Sequence, residues 1–268
     1  MRSFLKWAGC KHSQLTNLKT ILPQGKRLIE PFVGSGTVFL NTDYADYILN
    51  DTNEDIIHIF QHLNTNTSRI IKQCTALFSP ENNTSAQYYA LRDAFNQSPP
   101  ASIERACLFI YLNKHGYNGL CRYNSSGKYN VPFGRYTKPY LAIQEMSFFA
   151  EKAKRAAFYG TDFREIFKLS VPGDVIYCDP PYIPLSNTAY FSTYHKTPFS
   201  HQDQIDLARL AEEHAKRGVS VVISNHDTPE ARDLYAQSDT IHSLSVQRMI
   251  SCKQRGQVKE LIAVYEAL

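Results

Sequence analysis

The apolar run Val175-Ile176-Tyr177-Cys178 ends in Asp179-Pro180-Pro181-Tyr182, and this junction limits the folds open to the chain more than any other segment. A short apolar run bounded by turn formers reads as a buried strand. The two prolines then fix φ and remove two backbone donors, so the chain there can neither stay in a sheet nor wind into a helix. A carboxylate, a carbonyl followed by proline and an aromatic ring are thereby held in one stiff polar corner. Such a corner suits a flat base gripped by its amino group, although a Pro-Pro turn that only closes a strand reads the same way in isolation.

The flanking pattern says what kind of sheet the strand belongs to. Leu15, Leu18 and Leu22 share a helical face; a strand at Arg27–Glu30 breaks at Pro31 into Phe32-Val33-Gly34-Ser35-Gly36, and an apolar helix starts at Thr37. Tyr47-Ile48-Leu49 is a second strand ending at Asn50-Asp51, after which Ile56, Ile57, Phe60 and Leu63 recur at helical spacing. Alternating strands and helices with short loops open a doubly wound, mostly parallel α/β sheet. The alternation stops from about residue 68 to residue 111, which is helical and polar, and residues 117–140 are irregular with glycines at 116, 119, 127 and 134. Sheet logic returns at residues 157–159, 174–178, 220–224 and 260–265, with a helix over residues 202–216. The expected organisation is a sheet domain made of residues 1–56 and 142–268, interrupted by a mainly helical domain at residues 57–141.

With 43% hydrophobic and 20% charged residues among 268, the chain reads as an ordinary globular protein. No apolar stretch approaches the roughly 20 residues that span a bilayer, and the polar start with Lys6 and Lys11 is unlike a signal peptide. Six cysteines without a CxxC pair indicate reduced thiols in a cytoplasmic protein and no zinc site. The net charge of +4 is less informative than its distribution. Between Glu104 and Glu145 there is no acid, while Arg105, Lys114, Arg122, Lys128, Arg135 and Lys138 alternate with Tyr111, Tyr117, Tyr123, Tyr129, Phe133, Tyr136 and Tyr140. A solvated basic face accounts for the charge alone; the interleaved aromatics favour a polyanion with stackable bases.

In a doubly wound sheet, ligands bind beyond the carboxyl ends of the strands. Phe32 to Gly36 sits there, but its spacing is not GxGxxG, and a tight strand-to-helix turn explains it equally well. Asp51, at the end of the second strand, is placed to grip a ribose diol, with a helix N-cap as the alternative. Trp7 and Lys11 are candidates to flank the same crevice, with a place in the core as the alternative for a lone tryptophan.

Three sets of residues together, Phe4-Leu5-Lys6-Trp7-Ala8-Gly9-Cys10-Lys11, Glu30-Pro31-Phe32-Val33-Gly34-Ser35-Gly36 and Asp179-Pro180-Pro181-Tyr182, resemble the Dam family of DNA adenine-N6 methyltransferases. So do Asn113-Lys114-His115-Gly116-Tyr117-Asn118-Gly119-Leu120-Cys121-Arg122-Tyr123-Asn124, Asn130-Val131-Pro132-Phe133-Gly134-Arg135-Tyr136 and Asn225-His226-Asp227, so that the likeness spans essentially the whole chain. The resemblance implies a Rossmann-like methyltransferase fold with an inserted target-recognition domain. It implies S-adenosyl-L-methionine as cofactor, held by Trp7, Lys11, Asp51 and Asp179 and lined by Phe32 and Gly34. It also implies duplex DNA as partner, with 5′-GATC-3′ as the sequence acted on. Tyr117 and Asn118 would lie near the flipped base, and Leu120, Arg122, Pro132 and Arg135 against the recognition sequence.

Asp179 and the Pro180 carbonyl would accept the amino hydrogens of the flipped adenine, with Tyr182 stacked on it. A monomer in the cytoplasm, associated with the nucleoid through DNA and with neither metal nor membrane, completes the expectation. There are two departures. The family usually reads Trp-Ala-Gly-Gly-Lys where this chain has Cys10, which matters if that position needs a positive φ. Ser251-Cys252-Lys253-Gln254-Arg255-Gly256-Gln257 is shorter and less glycine-rich than its counterpart. A catalytically silent DNA-binding module, a nicotinamide-dependent oxidoreductase and an adenine methyltransferase acting on RNA or another DNA site are the rival readings.

Overall fold

The computed structural model describes residues 1–183, 199–247 and 257–268. Most of the departing stretch, Ser251 to Gly256 with Cys252, lies outside them. A 3-10 turn at Lys11–Gln14 leads into α1 (Leu15–Ile21), followed by β1 (Arg27–Glu30), α2 (Thr37–Asn41), β2 (Asp46–Asn50) and α3 (Glu54–Leu77). Then come α4 (Ser85–Gln97), α5 (Ile103–His115), α6 (Ile143–Ala153), β3 (Ala156–Tyr159), α7 (Phe163–Phe167) and β4 (Val175–Cys178). The chain closes with α8 (His201–Ala215), β5 (Ser220–His226), α9 (Pro229–Leu234), β6 (Thr240–Gln247) and β7 (Gln257–Tyr265).

These strands form one seven-stranded sheet in the order β3-β2-β1-β4-β5-β7-β6. The first five are parallel, and β7 and β6 run antiparallel at the far side. β1 and β4 pair through Leu28↔Val175 and Ile29↔Ile176, so the winding reverses direction between them. Period-two alternation sends neighbouring residues to opposite faces. Leu28, Tyr47, Leu49, Val175 and Tyr177 pack in the core on one face; Ile29, Ile48, Ile176 and Cys178 pack in the core on the other, with α7 and α8. Helices cover both faces, which is why β4 is apolar throughout rather than alternating.

Residues of the expected insertion join the first core. Tyr88, Phe95, Tyr111 and Tyr129 belong to the same buried cluster as Phe60, Leu28 and Tyr177. Residue 57 lies inside α3, which Asn53 caps by accepting from the Asp55 N–H at 3.1 Å. α4 and α5 are likewise capped by Thr84 and Ser102. β6 escaped the sequence reading for a physical reason: it is the outermost strand, none of Thr240 to Val246 is buried, and no clean apolar alternation is required of it.

Glu30, at the end of β1, is buried, and its Oε1 has no hydrogen-bond partner among the described residues. Burial pushes its carboxyl up to about 8; the Phe39 N–H opposes this, and nearby Asp179 adds to it. Between about pH 4.5 and 8 the folded chain therefore keeps a proton that the unfolded chain has released. Stability from this group is fully present below that window and is lost as pH rises through it. Glu30→Gln is expected to flatten this part of the profile, measured by urea unfolding at pH 5, 7 and 9; identical slopes for variant and wild type would refute it.

Candidate active site at the junction of β1 and β4

β4 delivers Asp179 to the C-terminal edge of the sheet beside β1, and the corner that follows is anchored by buried side chains from α8 and β5. Gln204 Nε2 donates to the Pro181 carbonyl at 2.8 Å, and the Ile183 N–H donates to Asn225 Oδ1 at 3.0 Å. Asn225 Nδ2 donates in turn to Gln204 Oε1 at 3.2 Å and to the Tyr235 hydroxyl oxygen at 3.0 Å. His226 Nδ1 donates to the Ile183 carbonyl at 2.8 Å, and its ring meets Tyr182 edge-on with centroids 4.8 Å apart. This is the structural use of Asn225-His226. The anchors act on Pro181 and Ile183, so they do not consume Asp179 or the Pro180 carbonyl.

The centre of the site is a buried charge cluster. Lys11, 5% exposed, places Nζ 3.0 Å from Asp179 Oδ1 and 3.2 Å from Glu260 Oε2, and it also donates to the Tyr182 hydroxyl. Glu260 Oε2 further accepts from the Tyr182 hydroxyl at 3.0 Å and from Gln14 Nε2 at 2.8 Å. Burial by itself lowers the Lys11 ammonium, but Asp179 and Glu260 outweigh it and hold it above its ordinary value. Burial raises the Asp179 carboxyl; the Lys11 charge opposes this, Glu260 reinforces it, and the net direction is up. Two carboxylates share one ammonium. Sequence reading saw Glu260 only as the first residue of an apolar strand, and only the antiparallel pairing His226↔Glu260 brings it here.

The glycine loop lies across the junction. Gly34 has φ +49, and a Cβ there would stand 2.8 Å from Trp7 Nε1, so only glycine lets the indole cover the loop. The Gly34 N–H donates to Asp51 Oδ2 at 3.0 Å and the Asn53 N–H to Asp51 Oδ1 at 2.9 Å. Because Asn53 is the helix cap, Asp51 is not, and its carboxylate is fixed beside the loop. Phe32 packs on Phe163 and Phe199, with centroids 5.5 and 5.6 Å away. Cys10 has φ −54, while the positive angle falls at Gly9 (+77). Its backbone is therefore open to any residue, and the cysteine in place of glycine brings no left-handed strain. Its thiol lies 3.1 Å from Thr37 Oγ1.

The two expected DNA-contacting segments are stitched together. The Tyr117 N–H donates to the Pro132 carbonyl at 2.8 Å, the Gly134 N–H to the His115 carbonyl at 2.8 Å, and Gly116 pairs with Phe133. Tyr117, Asn118, Arg122, Pro132 and Arg135 are exposed on this pair of segments, and Leu120 is half-buried. Among the described residues, Ala101, Asn118 and Arg135 are the non-glycines with positive φ, two of them in these segments at +52 and +56. Strain of about 1–3 kcal/mol per residue gathers at functional loops. Arg122 Nε donates to Asn130 Oδ1 at 2.7 Å, which orients its guanidinium plane.

The basic-aromatic stretch is less uniform than its composition. Tyr111, Tyr129 and Lys114 are buried, and Arg105 is ion-paired with Asp55 at 2.5 Å, so these serve the core, whereas Arg122, Lys128, Arg135 and Lys138 face solvent. Lys6 was also missed as a connector. Its N–H donates to Asn113 Oδ1 at 2.9 Å, Asn113 Nδ2 donates back to its carbonyl at 2.7 Å, and its Nζ lies 3.9 Å from the centroid of the Tyr136 ring. The segment that carries Trp7 and Lys11 is thus tied to the segments expected to contact DNA.

The glycine loop, the acid at the end of β2 and the Asp-Pro-Pro-Tyr corner meet beyond the carboxyl ends of β1, β2 and β4, where a doubly wound sheet binds its ligand. The chain belongs to the D12 class of N6 adenine-specific DNA methyltransferases, whose family model matches residues 7–250. It is 46% identical over 267 residues to the DNA adenine methylase of Escherichia coli (strain K12), covering 99% of this chain and 95% of that one. It is 47% identical over 267 residues to the DNA adenine methylases of Serratia marcescens and of Vibrio cholerae serotype O1, covering 98% of this chain and 98% and 96% of theirs. The protein is a DNA adenine methyltransferase that uses S-adenosyl-L-methionine. Among the described residues there is no cluster of three or more His, Cys, Asp or Glu suited to a metal, and no helix is long and apolar enough to cross a membrane.

Asn225→Ala would strand the Ile183 N–H and its buried partners at a cost of about 2 kcal/mol, a fall in Tm of about 4–8 °C. Thermal unfolding checks this, and an unchanged Tm would remove Asn225 as the anchor of the corner.

Proposed function

We propose that the chain methylates N6 of adenine in 5′-GATC-3′ duplex DNA, with residues 57–141 as the target-recognition segment and Asp179 at the reacting centre. The observation that carries this reading is the Asp179 carboxylate beside the Pro180 carbonyl, on a corner whose backbone Gln204 and Asn225 hold still. An exocyclic adenine amine is a weak nucleophile because its lone pair is delocalised into the ring. Two acceptors, one for each N6–H, favour a pyramidal nitrogen with its lone pair available. Asp179 also offsets the positive charge that develops on nitrogen. The base must first leave the stack, at a cost of about a few kcal/mol, and stacking on Tyr182 recovers about 1–3 kcal/mol of that. Alignment of the reacting groups is worth up to roughly 7–11 kcal/mol and is the largest contribution.

The crevice fits S-adenosyl-L-methionine in the character of its donors and acceptors. Gly34 leaves room beneath Trp7, the buried Asp51 carboxylate suits a ribose diol, Phe32 gives an apolar wall, and Lys11 and Asp179 supply one charge of each sign. When bound, it supplies the electrophilic methyl group. Tyr117 and Asn118 are assigned to the space the flipped base vacates, Leu120 and Pro132 to apolar contacts, and Arg122 and Arg135 to guanine edges. The protein is read as a cytoplasmic monomer that visits the nucleoid through DNA.

The test is transfer of labelled methyl from S-adenosylmethionine to paired duplexes, one with GATC and one with it scrambled. Label in N6-methyladenine of the GATC duplex alone is the expected result; equal label in both would end the specificity claim. Asp179→Ala is expected to abolish transfer while duplex binding stays near wild type, and near-normal turnover would refute the proposed centre. Arg122→Ala and Arg135→Ala should each cost about 1–3 kcal/mol at one base position. A uniform loss across all sequences would instead identify a phosphate contact.

A further inference from the structure

Glu260 is part of no role assigned above, yet it is bonded to three side chains at the site, as many as Lys11. Its Oε2 accepts from Lys11, Gln14 and the Tyr182 hydroxyl at 3.2, 2.8 and 3.0 Å, at 15% exposure. It reaches them from β7 and lies opposite His226, whose ring packs on Tyr182. An ammonium has three N–H donors. In Lys11 all three are directed at Asp179, Glu260 and Tyr182. Lys11 meets Asp179 at Oδ1, and a carboxylate has acceptor sites to spare for an adenine N–H, but the more of the ammonium's charge Asp179 alone must balance, the weaker an acceptor it is. A buried ammonium without a counter-charge costs several kcal/mol, so with Asp179 as its sole partner Lys11 would keep that carboxylate for itself.

We infer that Glu260 is a positioning residue for methyl transfer: its carboxylate retains Lys11 and the Tyr182 hydroxyl, which leaves Asp179 available to the substrate amine. The inference rests on the reading of Asp179 as the acceptor. Two consequences follow from the geometry. Tyr182 is held at its hydroxyl by Glu260 and against its ring by His226, so the stacking face is set before the base arrives. The second negative charge also keeps Asp179 from being locked into a simple ion pair.

The groups facing Asp179 are Lys11 from the N-terminal turn, Glu260 from β7, Glu30 from β1, Tyr177 from β4 and Tyr182 from its own corner. Removal of the Glu260 charge leaves Lys11 wholly to Asp179 and takes away a repulsion that raises its carboxyl, and both effects lower it. Glu260→Gln is therefore expected to slow single-turnover methyl transfer by about tenfold or more on its pH plateau, or about 1.4 kcal/mol. It should also shift the acid limb of kcat/KM to lower pH, with duplex affinity little changed. A residue that only fills space would lower the plateau without moving the limb.

Glu260→Asp, which keeps the charge but withdraws it by one methylene, should lower the plateau with a smaller limb shift, and it serves if Glu260→Gln does not fold. A wild-type plateau in either folded variant, or an unmoved acid limb in Glu260→Gln, overturns the inference. Asp179→Asn measured alongside separates the two claims. If it turns over normally, the acceptor reading fails and this inference with it; if it is inactive while Glu260→Gln is normal, only the role of Glu260 fails.

Discussion

The site depends on one buried ammonium. Lys11 comes from a turn near the start of the chain, Asp179 from the end of β4 and Glu260 from β7, and their contact joins three parts of the sheet domain that are remote in sequence. Desolvation of three charges is expensive and is offset only where the remaining hydrogen-bonding capacity is met. Gln14, Tyr182 and the two carboxylates meet it. The arrangement leaves an excess negative charge at the edge of the sheet, beside the corner proposed to receive the adenine amine.

The rest of the architecture delivers rigid acceptors to that point. The reversal of winding between β1 and β4 opens the crevice. The apolar faces of those strands, buried on both sides, leave little freedom in where Asp179 emerges. Gln204 and Asn225 then bind the backbone beyond the two prolines, so the corner is stiff both by covalent constraint and by buried hydrogen bonds. The N-terminal segment links this centre to the segments proposed to contact DNA. Gly119, at φ +61, packs so closely on Lys6 that a Cβ there would collide with its side chain, and Asn113 clasps the Lys6 backbone. Trp7 and Lys11 follow directly, so the proposed cofactor crevice and the proposed DNA-contacting segments lean on one short stretch of chain.

Much of this was legible in advance because local chemistry is specific. The strand at Val175–Cys178, the glycine turn after β1 and the helix of α3 need only a buried apolar run, a break at proline and a helical period. The edge strand β6 was not legible, since a strand at the rim of a sheet has neither face required to be apolar. Nor was the division of the basic-aromatic stretch. Tyr129 and Tyr117 are the same residue type in one basic-aromatic stretch, yet one fills the core beside Phe95 and Phe109 while the other is 47% exposed. Composition cannot separate them, because the difference lies in which helices cross beneath each ring.

By itself the sequence determined the parallel sheet, the place of the corner within it and the family, because period, proline and motif order are properties of neighbouring residues. Only the tertiary structure decided that Glu260 joins Lys11 and Asp179, that Asn53 and not Asp51 caps α3, and that Cys10 stands where φ is negative. Each of these is a matter of which atoms meet across the fold or of which well one backbone bond occupies. Such outcomes are set by packing from distant segments, which local propensity does not encode.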